Sequence, residues 1–233
     1  MSFPPVLLMW LLSLPLPAIA FAQAVVLDEG SFVVEIDNRT IGTENFRIRQ
    51  SSLSENAQTI AQGNLEFVNK DSTHIVQSVL GAVGINMSLD AYQVKVSGSN
   101  NTQVRMQRRG NRIVSETKSE IGIIEREYRR LSSRTPIVVL DNLLAHQYFF
   151  LTPHQKPGDS RVSIIYPQSG KQENATLRME HVDPITLGGN TIQAQHLQLI
   201  ISNGDIHEIW LDNQNRVLRI EIPKINYIAV RKD

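Results

Sequence analysis

The sequence predicts a mainly β protein: a twisted antiparallel sheet or half-barrel with one amphipathic helix. Three observations carry this reading. Period-two alternation of apolar and polar residues recurs from Gly30 to the C-terminus, broken by Asn-, Gly- and Ser-rich turns. Thr191 to Ile222 writes out three consecutive strands with both connecting turns. Helical spacing governs one segment alone, Pro136 to Leu151.

At the start of the chain, Met1 to Ala22 carries neither acid nor base side chains; it has an apolar run from Val6 to Leu12 and the small-residue pattern Ala20-Phe21-Ala22. This reads as a signal peptide cut after Ala22, which places the mature chain, residues 23–233, in the periplasm or outside the cell. A retained membrane anchor is the alternative, disfavoured because Pro15 and Pro17 interrupt the span. The 23 basic and 23 acidic residues balance, which removes the electrostatic footprint of a nucleic-acid or anionic-membrane binder. With no cysteine, an exported chain has no disulfides and rests on a packed core. That favours a bacterial periplasm, and the Asn-x-Ser/Thr patterns at Asn38, Asn86, Asn100 and Asn174 are read as chance matches in an asparagine-rich chain.

Gly30 to Ile36 alternates, Asp37-Asn38-Arg39 turns, and Thr40 to Arg49 returns with a bulge expected at Gly42. That register sets Phe46 against Phe32 and Glu44 beside Val34, a carboxylate on an apolar face. Strands follow at Thr59 to Val68, Thr73 to Val79, Ile85 to Val96, Thr102 to Gln107, Arg112 to Lys118 and Ile123 to Arg129. Thr135-Pro136 then reads as an N-cap with a first-turn proline; Ile137, Leu140, Leu144, Tyr148 and Leu151 form the stripe of the helix. Strands resume at Arg161 to Gln168, Lys171 to His181 and Ile185 to Leu187, and end at Ile225 to Val230.

In the Thr191 to Ile222 stretch, Asn203-Gly204 suits a two-residue type I′ turn, which sets Leu199 against Glu208 and Leu197 against Trp210. Asn215 suits the left-handed position of the second turn. One face then carries Leu197, Leu199, Glu208, Trp210, Leu218 and Ile220. Thr40 to Ile48 also aligns without a gap on Thr191 to Leu199, which suggests two similar β units, about 28–130 and 160–231, joined by the helix.

Catalytic signatures are absent: there is no Gly-x-Ser-x-Gly, phosphate loop, cysteine nucleophile or His-Glu-x-x-His. His181-Val182-Asp183 and the pair His196 and His207 are the arrangements that resemble a ligand cluster, but the expected register sets His196 opposite Leu211 and His207 opposite Ile200, several residues apart, so they read as solvated strand histidines and no metal or cofactor is expected. Glu125 and Glu127, among Arg126, Arg129 and Arg130, read as a salt-bridged edge. Glu44 and Glu208 are the sharper clues, because a carboxylate on an apolar face must be hydrogen-bonded, neutralised or open to a wet cavity.

The motif W-L-D-x-x-x-R-V-L-R-I-E, Trp210 to Glu221, in an exported chain of long antiparallel strands, resembles uncharacterised secreted bacterial β proteins. In shape such a chain is similar to the lipoprotein-carrier half-barrel of the Gram-negative periplasm. The resemblance implies a concave sheet that holds acyl chains beneath helices, of which this chain offers one. No residue roles carry over, since no motif matches position by position. The expected function is a periplasmic binding or carrier module for a lipid or other amphiphile, with Glu208, Trp210, Glu44, Leu197, Leu199 and Leu218 as candidate lining. The alternative is a non-enzymatic assembly factor that binds envelope protein or glycan through a sheet edge or face.

Overall fold

The computed structural model describes residues 24–52, 55–69, 72–99, 101–129, 135–141 and 143–232. The expected signal segment lies outside them. The described residues form one 15-stranded sheet. Its first half runs β1 (Val25–Ile36), β2 (Arg39–Gln50), β3 (Gln58–Asn69), β4 (Ser72–Val83), β5 (Ser88–Ser97), β6 (Thr102–Arg109), β7 (Arg112–Ser119) and β8 (Gly122–Arg129). Its second half runs β9 (Ile137–Val139), β10 (Ser160–Tyr166), β11 (Lys171–Leu187), β12 (Asn190–Ile201), β13 (Ile206–Leu211), β14 (Val217–Ile222) and β15 (Tyr227–Arg231). Each half is a meander, and the halves join where β1 pairs with β15, leaving β8 and β9 as the two edges. All pairings are antiparallel except β9 with β10.

The sheet rolls up without closing. The β9 edge lies under β5, several strands in from the opposite edge. Edge strand β8 is carried towards the β10–β11 turn, where Gln172 Nε2 donates to the Arg129 carbonyl at 2.9 Å. Rolling explains how so much apolar strand face is covered with little helix: the concave side of one half packs on the other. Alternation is plain in β4, where Val76, Ser78 and Leu80 are buried while Gln77 and Val79 face solvent.

The expected helix is relocated. Its first third is strand β9, whose three β-branched residues Ile137, Val138 and Val139 are all buried. Such residues lose side-chain freedom in a helix and suit a strand buried on both faces. The helical turns come later, as a 3-10 helix over Ala145–His154 that includes Pro153. Nor is it amphipathic, because Ala145 through Leu151 are all buried. A helix buried all round belongs inside a core, and this one fills the roll, its His146 and Gln147 side chains held by partners there.

Two hairpins show how register decides which residues meet. At Asp37-Asn38 both turn residues have positive φ (51° and 59°), a two-residue turn. A bulge beside Gly42 sets Val34 opposite Gly42 and Phe32 opposite Glu44. This register differs from the expected one by two residues, so Glu44 keeps its place on the apolar face. Gly42 is required because a Cβ there would meet Phe67 Cβ at 2.7 Å.

At Asn203-Gly204 the difference is one residue, and everything flips. Asn203 Oδ1 accepts from the Asp205 N–H at 2.9 Å, and Gly204 alone takes positive φ (90°). The loop therefore has three residues, Ser202 to Gly204, and pairs Gln198 with Glu208, His196 with Trp210 and Leu199 with His207. Because side chains alternate with period two, Glu208 and Trp210 move to the convex face, away from Leu197 and Leu199. Asn215 does take the left-handed conformation (φ 60°), but a bulge shifts this hairpin as well: Arg219 faces Trp210, Ile220 faces Ile209, and Leu218 is the unpaired residue.

Candidate functional site

The expected lining residues do not form one site. Leu197 and Leu199 are buried in the main core, as is Ile220 on β14. Leu218 is buried outside that cluster, next to a groove lined by Leu187, Ile192 and Arg216. Glu208 and Trp210 lie on the convex side with His196. Glu44 stands on the concave side and is fully buried.

Glu44 anchors the plug of the roll. Its Oε2 accepts from the backbone N–H of Ala145 at 2.7 Å and of His146 at 3.3 Å, and its Oε1 pairs with His146 Nδ1. The 3-10 helix has no side-chain cap of its own, so a carboxylate 101 residues away satisfies its first donors. The His146 ring stacks on Phe46, with centroids 6.1 Å apart. Its other side rests on Gly63 of β3, where an added Cβ would strike the imidazole. Close by, the Tyr92 hydroxyl donates to Asp141 Oδ2 at 2.9 Å, Gln147 Nε2 donates to the Tyr92 oxygen at 3.1 Å, and Gln147 Oε1 accepts from the Asp141 N–H. Burial, then the Asp141 charge, pushes the Tyr92 hydroxyl well above the usual phenol range, which keeps it a donor.

At the mouth of the roll the plug leaves a cleft of about 540 Å3. Leu140, Leu143 and Leu144 form one wall; Ile222 and Ile225, flanking the short 3-10 turn Pro223–Ile225, form the other. Tyr148, Tyr166, Tyr227 and His207 supply the polar points inside. The Tyr148 hydroxyl lies 2.7 Å from His207 Nδ1. Burial raises the pKa of Tyr148 and lowers that of His207 to about 4, so the phenol donates to a neutral imidazole. Leu143 has φ of 67°, strained for a branched residue, and the Tyr227 hydroxyl donates to its carbonyl at 3.3 Å. At the rim, Lys224 pairs with Asp205 at 2.7 Å, whereas Lys171 is exposed and forms no ion pair with any described residue.

Buried neutral histidines make stability depend on pH. His154 and His207 are both lowered to about 4, chiefly by burial. In the unfolded chain both take up protons near pH 6.5, so between about 6.5 and 4 the unfolded state binds more protons and stability falls with pH. The expected slope is roughly 1.4 kcal/mol per pH unit for each group. Urea unfolding at pH 7 and pH 5 checks this, and His207→Gln should reduce the drop by about half.

Sequence reasoning found Glu44 but missed the cleft. Its walls come from a segment read as regular helix and from two turns, and no periodic pattern marks such residues. The histidines also require correction: His196 and His207, expected as solvated, are both buried, and His196 meets His181 and Asp183 on the convex face.

No protein-family model matches this chain, and no curated protein does. Among solved structures, it is similar to the crystal structure of a β-barrel-like protein of the domain of unknown function DUF1849 from Brucella abortus. The two share 6% identity with a TM-score of 0.55, over 88% of this chain and 94% of that one. The likeness is one of fold, to an uncharacterised bacterial β protein.

Proposed function

We propose that this chain is an exported, non-catalytic binding module for a small amphipathic ligand. The observation that carries the reading is the mouth cleft, with apolar walls, a few convergent hydroxyls and one unpaired lysine at its rim. An anionic or strongly polar head group would sit at Lys171, and the apolar part against Leu143, Ile222 and Ile225. The concave face itself is an unsuitable acyl site, because strand β9 and the 3-10 helix Ala145–His154 already fill it. The titratable pairs at the cleft support a non-catalytic role: Tyr148 is engaged with a neutral His207, Lys224 with Asp205, Asp141 with Tyr92 and Glu173 with Ser202. Export rests on the N-terminal sequence pattern.

Calorimetric titration of the purified protein with a fatty acid and a lysophospholipid tests the reading. Binding at one site is expected, with Lys171→Glu weakening it at least tenfold through loss of a charge-assisted contact worth about 1.5–3 kcal/mol. Silence towards every amphiphile, or affinity indifferent to Lys171→Glu, would overturn it. The exposed edge β8 favours a second reading as a partner-binding factor. Its end presents Ile121, Ile123 and Ile124, 91%, 62% and 40% exposed, beside an unpaired strand edge. A stable protein partner lost on Ile123→Lys, with no amphiphile bound, would support that reading.

A further inference from the structure

We propose that His181, Asp183 and His196 form a solvent-open site for a divalent transition-metal ion, with zinc as the best match. The site lies on the convex face, remote from the cleft and independent of its function. One ligand atom of each residue lies within 4.8 Å of the other two. A bulge makes this possible: between the pairs Met179–Leu197 and Val182–Gln195, both Glu180 and His181 stand opposite His196 alone. His181 then faces His196 with ring centroids 5.3 Å apart, and Asp183, two residues on, projects to the same side.

The decisive feature is the state of His196, which is only 9% exposed. Its Nε2 lies 2.7 Å from Glu208 Oε2, and Gln198 Nε2 donates to the other Glu208 oxygen at 3.1 Å. An ionised carboxylate only accepts, so Nε2 carries the proton of that contact and Nδ1 is the ring nitrogen left to face Asp183. That Nδ1 is buried without a hydrogen-bond partner, yet lies 3.3 Å from Asp183 Oδ2. Nδ1 and Oδ2 at that distance either share a proton or, with the proton displaced, hold a metal cation between them. Ligands at about 2.0–2.2 Å from a tetrahedral zinc stand roughly 3.3 Å apart, so this pair already has the required spacing. A carboxylate that orients the distal nitrogen of a histidine is the usual outer partner of a metal-bound imidazole. Trp210, stacked on the ring at 4.7 Å and 1°, fixes its plane. His181, 62% exposed in its side chain, already holds Nε2 2.8 Å from Asp183 Oδ1 on the solvent side of the set, and solvent takes the fourth position. Two imidazoles and one carboxylate suit zinc, copper or nickel better than magnesium or calcium.

The test uses the chain without an affinity tag, in a Trp10→Phe background that leaves Trp210 as the sole tryptophan. Calorimetry with Zn²⁺ should show one site per chain, and Cu²⁺ should quench Trp210 emission saturably at the same stoichiometry, whereas Mg²⁺ does neither. Asp183→Asn and His181→Ala, both at accessible side chains, should each weaken zinc at least tenfold without shifting the melting temperature. Glu208→Gln should weaken it about 10- to 100-fold by freeing the His196 ring. Absence of saturable binding, or binding unchanged by Asp183→Asn and His181→Ala, would overturn the proposal.

Discussion

Glu44→Ala is expected to destabilise the protein by about 3–5 kcal/mol, the usual effect of removing one member of a buried charge-bearing pair. Three donors inside the roll would lose their acceptor: the Ala145 and His146 amides and His146 Nδ1. None can reach water, since both Glu44 and His146 side chains are fully buried. For a chain of this size the melting temperature should fall by roughly 10 °C. Glu44→Gln should retain more than half of the lost stability. The amide oxygen can still accept from Ala145, and the imidazole can move its proton to Nε2 and accept at Nδ1. A loss below about 1 kcal/mol for Glu44→Ala would mean that the plug is not held from β2.

Asp28→Ala should have an effect of the same order, about 3–5 kcal/mol, at the seam between the two halves of the sheet. Arg231 at the end of β15 donates to Asp28 Oδ1 at 2.8 Å and Oδ2 at 3.1 Å, and to the Glu29 carbonyl at 2.6 Å. Both side chains are almost inaccessible, at 4% and 3%. A bulge at Leu27 turns Asp28 inward, and the guanidinium lies 5.4 Å over the Phe46 ring, which stacks on Phe32. Removal of the carboxylate leaves a buried cation short of its counter-charge. The exposed pair Arg178–Asp159, 43% and 51% accessible, provides the contrast: Asp159→Ala should leave the unfolding midpoint nearly unchanged. Replacing both seam partners together, Asp28→Leu with Arg231→Met, should be much milder than Asp28→Ala alone. Urea unfolding of the three variants decides the matter; equal losses for Asp28→Ala and Asp159→Ala would contradict a desolvated seam.

Much of this fold was legible because alternation is a local signal. Most strands begin and end close to where Gly, Asn and Pro mark them, and Glu44 stood out as a carboxylate among Phe32, Val34 and Phe46. Register was harder, because it depends on a single turn. Asn203-Gly204 suits a type I′ turn by composition, but the Asn203 side chain caps Asp205 instead, and one added loop residue moves Glu208 and Trp210 to the opposite face. The helical stripe failed for a related reason. Ile137 to Leu151 has helical spacing, yet three successive β-branched residues and burial on every side suit a strand followed by a plug. The cleft has no sequence signature, and of the His181, Asp183 and His196 cluster the sequence shows only His181-Val182-Asp183, since His196 joins it through a pairing and a bulge that no spacing encodes.

Photo-labelling most directly tests whether an amphiphile is held at the mouth of a roll that is already full. A fatty acid carrying a diazirine near its tail, cross-linked to the protein and mapped by mass spectrometry, should mark Leu143, Ile222 and Ile225, with labelling reduced by Lys171→Glu. Labels on strand residues of the concave face such as Leu197 and Leu199, or around Trp210, or no specific labels at all, would contradict that placement.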